Sequence, residues 1–129
     1  MTLTTTRRTA ALLVSVLAAG AALPALGHHG WSWTESGFFQ IEGIVAEVYF
    51  GNPHPTIDLD VEGEIWRIEL APPAATSRAG LTEDLLTAGD EIIAIGNRSA
   101  DPDERRMKAV RVVVDGTNYD VYPARAQNI

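Results

Sequence analysis

The sequence predicts a small all-β barrel of five strands with one short helix, preceded by an apolar leader helix. Three features carry that expectation. Residues 38–70 contain three successive runs whose apolar side chains recur at every second position, the period of a half-buried strand. A Pro-rich and Leu-rich link follows, with room for one short helix. Two further β-branched runs then complete the chain.

The leader is residues 1–27. Arg7 and Arg8 precede a charge-free apolar stretch from Thr9 to Leu23, and Pro24-Ala25-Leu26-Gly27 ends in small residues. This is the pattern of a cleaved signal peptide, with removal expected after Gly27. The apolar stretch falls short of the roughly 20 residues a membrane span requires. The arginine pair is compatible with export by the general or the twin-arginine route.

Removing residues 1–27 takes away two arginines and no acid, so the net charge moves from −7 to −9. Such acidity argues against nucleic acid and anionic membrane surfaces as partners, because both attract basic patches. A soluble periplasmic domain kept monomeric by self-repulsion is expected. With no cysteine, disulfides, thiolate nucleophiles and thiolate metal ligands are excluded.

Residues 28–37 are expected to be an extended segment, with Trp31 and Trp33 on one face. Residues 38–122 are the expected barrel and 123–129 a loose tail. In Phe38 to Phe50 the alternation slips by one residue, and a bulge at Gly43 is expected to absorb it, leaving Ile44, Ala46 and Val48 in one row. Ile57, Leu59 and Val61 alternate with Asp58, Asp60 and Glu62, and Trp66, Ile68 and Leu70 alternate with Arg67 and Glu69. Arg67 or Glu69 can therefore pair across strands with the Asp58 and Asp60 face.

Ala71-Pro72-Pro73 stops the third strand, since proline offers no backbone donor. A helix over 73–79 with Gly80 as its left-handed cap follows, then a capped turn turning Leu81, Leu85 and Leu86 inward. Gly89-Asp90 leads into Glu91 to Gly96, apolar on both faces and therefore central. Asn97 to Arg106 reads as a solvated loop. Met107 to Val114 places Val110, Val112 and Val114 in its inward row, and Asp115-Gly116 signals a tight hairpin.

Strand, strand, strand, helix, strand, strand is the element order of the oligonucleotide/oligosaccharide-binding (OB) barrel. An open meander sheet crossed by one helix is the alternative. Many unrelated functions share such folds, so the order alone assigns none.

Several residues together resemble one small exported bacterial family. They are His28-His29 after the leader, Gly43, Val45 and Glu47-Val48 running into Asn52-Pro53-His54, then Trp66, Glu69, Pro73, Arg78, Gly80, Leu85 and Gly89-Asp90-Glu91. The family is designated only as domain of unknown function 6152. The likeness covers essentially all of the chain after the leader and departs at Gly30, where serine is expected. It implies export and a small β-rich domain, and no activity.

All three histidines stand where they can be presented. His54 lies between Pro53 and Pro55, which stiffen the turn. After cleavage His28 carries the free amine, so His28, His29 and His54 form a candidate nitrogen site, best suited to copper(II). The plainer reading is a solvated chain end and a histidine bonded to its own loop.

The other candidate surface is a ligand or partner face comprising Trp31, Trp33, Tyr49 and Trp66. No Gly-x-Ser-x-Gly, His-Glu-x-x-His or phosphate-cradling loop occurs, so a non-catalytic binding module for a small ligand or periplasmic protein is expected. Glu69 is the carboxylate nearest to apolar surroundings, and Arg67 or Arg78 is its expected ion-pair partner.

Overall fold

The computed structural model describes residues 30–129. Residues 1–27, expected to be a leader helix, and the candidate ligands His28 and His29 lie outside the described residues. Six strands and two short helices run in the order β1 (Phe39–Tyr49), β2 (Thr56–Val61), β3 (Glu64–Glu69), α1 (Pro73–Arg78), β4 (Glu91–Arg98), β5 (Arg106–Val114), β6 (Thr117–Asp120) and α2 (Pro123–Ala126).

The sheet order is β3-β2-β1-β4-β5-β6, and an additional β3–β5 pairing closes the first five strands into a barrel. That closure is parallel, matching Arg67 with Arg106, Ile68 with Met107 and Glu69 with Lys108. The result is the OB-like barrel with β6 appended as a hairpin, and the open meander is excluded. As expected from its apolar run, β4 is central, between β1 and β5.

Alternation explains the inside of the barrel. Ile41, Val45, Ile57, Leu59, Ile68, Ile92, Ala94, Met107, Ala109 and Val112 form one buried cluster. Each large aliphatic side chain among them contributes about 1.5–3 kcal/mol by leaving water. The link between β3 and β4 adds Leu70, Ala71, Leu81 and Leu86 to the cluster. There Thr76 Oγ1 donates to the Ala71 carbonyl at 2.7 Å, and Gly80 takes φ +95° just after the helix.

The bulge in β1 lies between Val45 and Glu47, not at Gly43. Ile41, Gly43 and Val45 keep one phase, Ala46 is the extra residue, and Val48 resumes the inward row, leaving Ile44 44% exposed. Gly43 serves close approach instead: a Cβ there would meet the Asp60 carbonyl oxygen at 2.3 Å. A second bulge separates Ile95–Arg111 from Gly96–Ala109 pairing and makes Val110 the extra residue of β5. Val110 is buried but stands apart from the core cluster that Val112 and Val114 join.

Three boundary expectations change. The expected solvated loop begins late, because β4 runs to Arg98 and both Asn97 and Ser99 are buried. Residues 31–34 turn rather than extend, with Thr34 N–H donating to the Trp31 carbonyl at 3.1 Å. Thr34 then bridges Ser99, and Glu35 and Ala100 bond across to Arg98 and Trp33. In place of a loose tail, 123–126 form α2, with Ala126 buried. Asp115 and Gly116 both have positive φ, 50° and 76°, as a two-residue hairpin turn demands.

Candidate functional site

The outward residues of β1, β2 and β3 form rows, because directly paired residues in an antiparallel sheet share a face. One row is Tyr49, Thr56 and Glu69, and the next is Glu47, Asp58 and Arg67. Pro53 and His54, from the turn between β1 and β2, overhang the first row. Together these residues line a groove of about 370 Å³. Strands β2–β3 and the loops beside them are the face that OB barrels generally use for binding.

Arg67 is tied to Asp58 through two contacts, with Nη2 donating to Oδ2 at 3.1 Å. That hydrogen-bonded carboxylate raises the Arg67 pKa further. The expected cross-strand ladder is thus realised by Arg67 and Asp58. Glu47 adds a further carboxylate to the lining.

Glu69 is the unusual member, only 6% exposed although it lies on the outer face. The β3–β5 closure places Arg106 and Lys108 beside it. Arg106 Nε donates to Oε1 at 2.8 Å, and Arg106 Nη2 donates to the same oxygen. Its partner is therefore Arg106, not Arg67 or Arg78 as expected. The other oxygen, Oε2, accepts no hydrogen bond among the described residues.

His54 faces that oxygen, with Nε2 at 3.8 Å from Glu69 Oε2 and only 16% of its side chain exposed. Its Nδ1 is 3.4 Å from the Pro55 carbonyl oxygen. The expectation that His54 is held outward is corrected: its ring lies beside Glu69 Oε2 and is mostly covered. Among the described residues, no three His, Cys, Asp or Glu side chains come together as a metal cage.

Next to Glu69 the N-terminal hook is clamped by cations on aromatic rings. The Arg106 guanidinium lies 4.0 Å from the Trp33 ring centroid. Arg125 and Lys108 lie 3.8 and 4.7 Å from the centroid of Trp31, which meets Tyr122 edge-on. Each such contact contributes on the order of 0.5–2 kcal/mol. Lys108 is 3% exposed, and its Nζ donates to the Gly30 carbonyl at 3.1 Å. Burial lowers its pKa and raises that of Tyr122.

The four expected face residues do not form one face. Tyr49 lines the groove, its hydroxyl donating to the Asn52 carbonyl at 3.0 Å. Trp31 and Trp33 cover Lys108 and Arg106. Trp66 packs on Phe39 with Arg98 5.6 Å away, beside a separate hollow. Arg106 and Lys108 escaped sequence reasoning. Their alternation marks them as outward, and nothing local reveals that β3 pairs with β5.

A family model described as "Family of unknown function (DUF6152)" matches residues 15–107. The chain belongs to that family. No curated protein matches the chain. Among solved structures, this member of the family is similar to the crystal structure of the S. pombe Stn1-ten1 complex, at 14% identity over 70% of this chain and 63% of that one, with TM-score 0.49. It is also similar to the crystal structure of the ZRD-deleted mutant of TiaS in complex with agmatine, at 17% identity over 68% of this chain and 27% of that one, again with TM-score 0.49. The chain thus spans less than two thirds of either structure's length.

Proposed function

We propose that this protein is an exported, periplasmic, non-catalytic binding module whose ligand sits in the groove between the 52–55 turn and the outer face of β2–β3. One observation carries the reading. A carboxylate oxygen, Glu69 Oε2, is buried at the inner end of the groove with no hydrogen bond from the described residues. Leaving such a group unmatched costs about 1–3 kcal/mol or more, and a ligand that donates to it or carries positive charge removes the penalty.

Glu47 adds a carboxylate to the lining beyond the Arg67–Asp58 and Arg106–Glu69 pairs, and this favours a cationic ligand. The leader pattern over residues 1–27 supports export, and the charge of −7 supports a monomer. The absence of cysteine and of recognised nucleophile motifs supports a non-catalytic role.

Calorimetric titration with putrescine and with a carboxylate of matched size tests the reading. Putrescine is expected to bind and the carboxylate to fail, with putrescine binding lost in Glu69→Gln. Equal weak heats from both, or unaltered putrescine binding in the variant, would reject the groove as the seat.

A second reading is a copper-handling protein using His28, His29 and His54. It is favoured by one observation, that His54 turns its ring toward a carboxylate.

A further inference from the structure

We infer that the hollow beside Trp66 is a second binding site, for a small zwitterion with an aromatic side chain, an α-amino acid, whose carboxylate Arg98 holds and whose ammonium Asp103 holds. The site is separate from the groove, since the two share no lining residue.

Arg98 is the first ground. The other arginines of the sheet, Arg67, Arg106 and Arg111, each donate Nε to a carboxylate. Arg98 does not. Its Nε is buried and has no hydrogen-bond acceptor, and it enters no ion pair among the described residues. Its place in the fold explains why: it follows Ile92, Ala94 and Gly96 in the inward row of β4, and there it meets aromatic rings. The guanidinium lies 5.3 Å from the Phe39 centroid and 5.6 Å from that of Trp66. Ring faces attract the cation but do not accept its N–H bonds as a carboxylate does. A guanidinium partly withdrawn from water and given no acceptor is matched by an anion.

The second ground is the charge balance of the hollow. Its volume is about 300 Å³, and Glu64, Trp66, Arg98, Pro102, Asp103 and Arg105 line it. Glu64 is committed to Arg105, with Nε donating to Oε2 at 2.7 Å and Nη2 to Oε1 at 2.6 Å. One cation and one anion remain, Arg98 and Asp103, and they form no ion pair with each other. The Asp103 backbone N–H donates to Asp101 Oδ1 at 3.0 Å, which ties this part of the loop.

A bare anion would meet Asp103 and a chain whose charge is −7, and a bare cation would meet Arg98. A ligand that carries both charges serves both residues and stays neutral overall. Half-buried Trp66 lines the same hollow and gives an aromatic side chain a surface to pack on. The volume lies at the lower end for small-ligand sites, which suits a ligand of this size.

Calorimetric titration of the protein in the form that accumulates in the cell tests this with three probes. L-Phenylalanine carries both charges, phenylpropionate lacks the ammonium and phenylethylamine lacks the carboxylate. Phenylalanine is expected to bind at least about 10-fold more tightly than either, the worth of one hydrogen bond to a charged group. Arg98→Lys keeps a cation and removes the planar fork, so it should weaken phenylalanine by about the same factor. Asp103→Asn alters an exposed loop side chain, and it carries the test if Arg98→Lys does not fold. In Asp103→Asn, phenylpropionate should bind as well as phenylalanine or better. Glu47→Gln, a change in the groove, should leave phenylalanine binding as it is.

No binding of phenylalanine, equal binding of all three probes, or an unaltered preference in Asp103→Asn would overturn the inference. Loss of phenylalanine binding in Glu47→Gln would place the ligand in the groove and overturn it as well. The groove reading is decided separately, by putrescine and Glu69→Gln.

Discussion

Replacing Arg106 by methionine isolates the contact on which the site is built. The shorter thioether side chain would keep most of the apolar stem and remove the guanidinium that donates twice to Glu69 Oε1. Glu69 is 6% exposed and its remaining oxygen has no hydrogen bond within the described residues. The variant would therefore bury an uncompensated charge. Removing one partner of a buried pair costs about 3–5 kcal/mol, and loss of the Trp33 contact adds about 0.5–1 kcal/mol. Against a domain stability of about 5–15 kcal/mol, this is a large fraction. For a urea slope of about 1.5 kcal/mol per molar, a loss of about 3 kcal/mol moves the midpoint down by about 2 M.

Urea titration followed by tryptophan fluorescence reads this shift directly. The double variant Arg106→Met with Glu69→Gln removes the orphaned charge, so it should regain at least half of the loss. A single-variant effect below about 1 kcal/mol, or no recovery in the double variant, would refute the claim that β3–β5 closure buries Glu69 against Arg106.

Two further outcomes follow from the same geometry. Burial lowers the Lys108 pKa below its ordinary 10.5, so its destabilising contribution is complete at neutral pH and eases as pH rises toward 10.5. Tyr122 acts oppositely: burial raises its pKa above 10.0, so stability is lost as pH climbs beyond that value. Lys108→Met should abolish the rise and keep the fall, and denaturation midpoints between about pH 8 and 11 would expose a failure to do so. Gly96→Ala would place a Cβ 2.0 Å from the Lys108 carbonyl oxygen and 2.8 Å from Ala109 Cα. Since both neighbours are backbone, β4 and β5 must separate, at a cost of at least about 1–3 kcal/mol. An unchanged urea midpoint would show that the strands do not approach so closely.

Much of the barrel was legible because a half-buried strand writes its faces into a two-residue period. Ile57, Leu59 and Ile68 are inside for that reason, and Asp58 meets Arg67 outside. The bulges were harder. A one-residue slip is visible in residues 39–50, but its position depends on which partner residue each side faces, so the sequence points to Gly43 while the structure makes Ala46 the extra residue. Gly43 was needed for the approach of β2's backbone, a contact with no signature inside β1.

Of the residues lining the groove, the sequence singles out Tyr49 and His54, but for two separate candidate sites, and Glu69 only as a carboxylate near apolar surroundings. His54 looked presented because flanking prolines stiffen a turn without saying which way its side chain leans. The three-dimensional arrangement decided that it leans over Glu69.

By itself, the sequence determined the alternating strands, the helix between the third and fourth, the acidic charge and the absence of thiol chemistry, because each follows from local period or composition. Only the tertiary structure decided that Glu69 is buried, that Arg106 is its partner and that Trp31 and Trp33 roof Lys108 and Arg106. These depend on β3 meeting β5, strands whose paired residues lie far apart along the chain, and pairing across such a distance is set by closure of the whole barrel rather than by any segment's own preference.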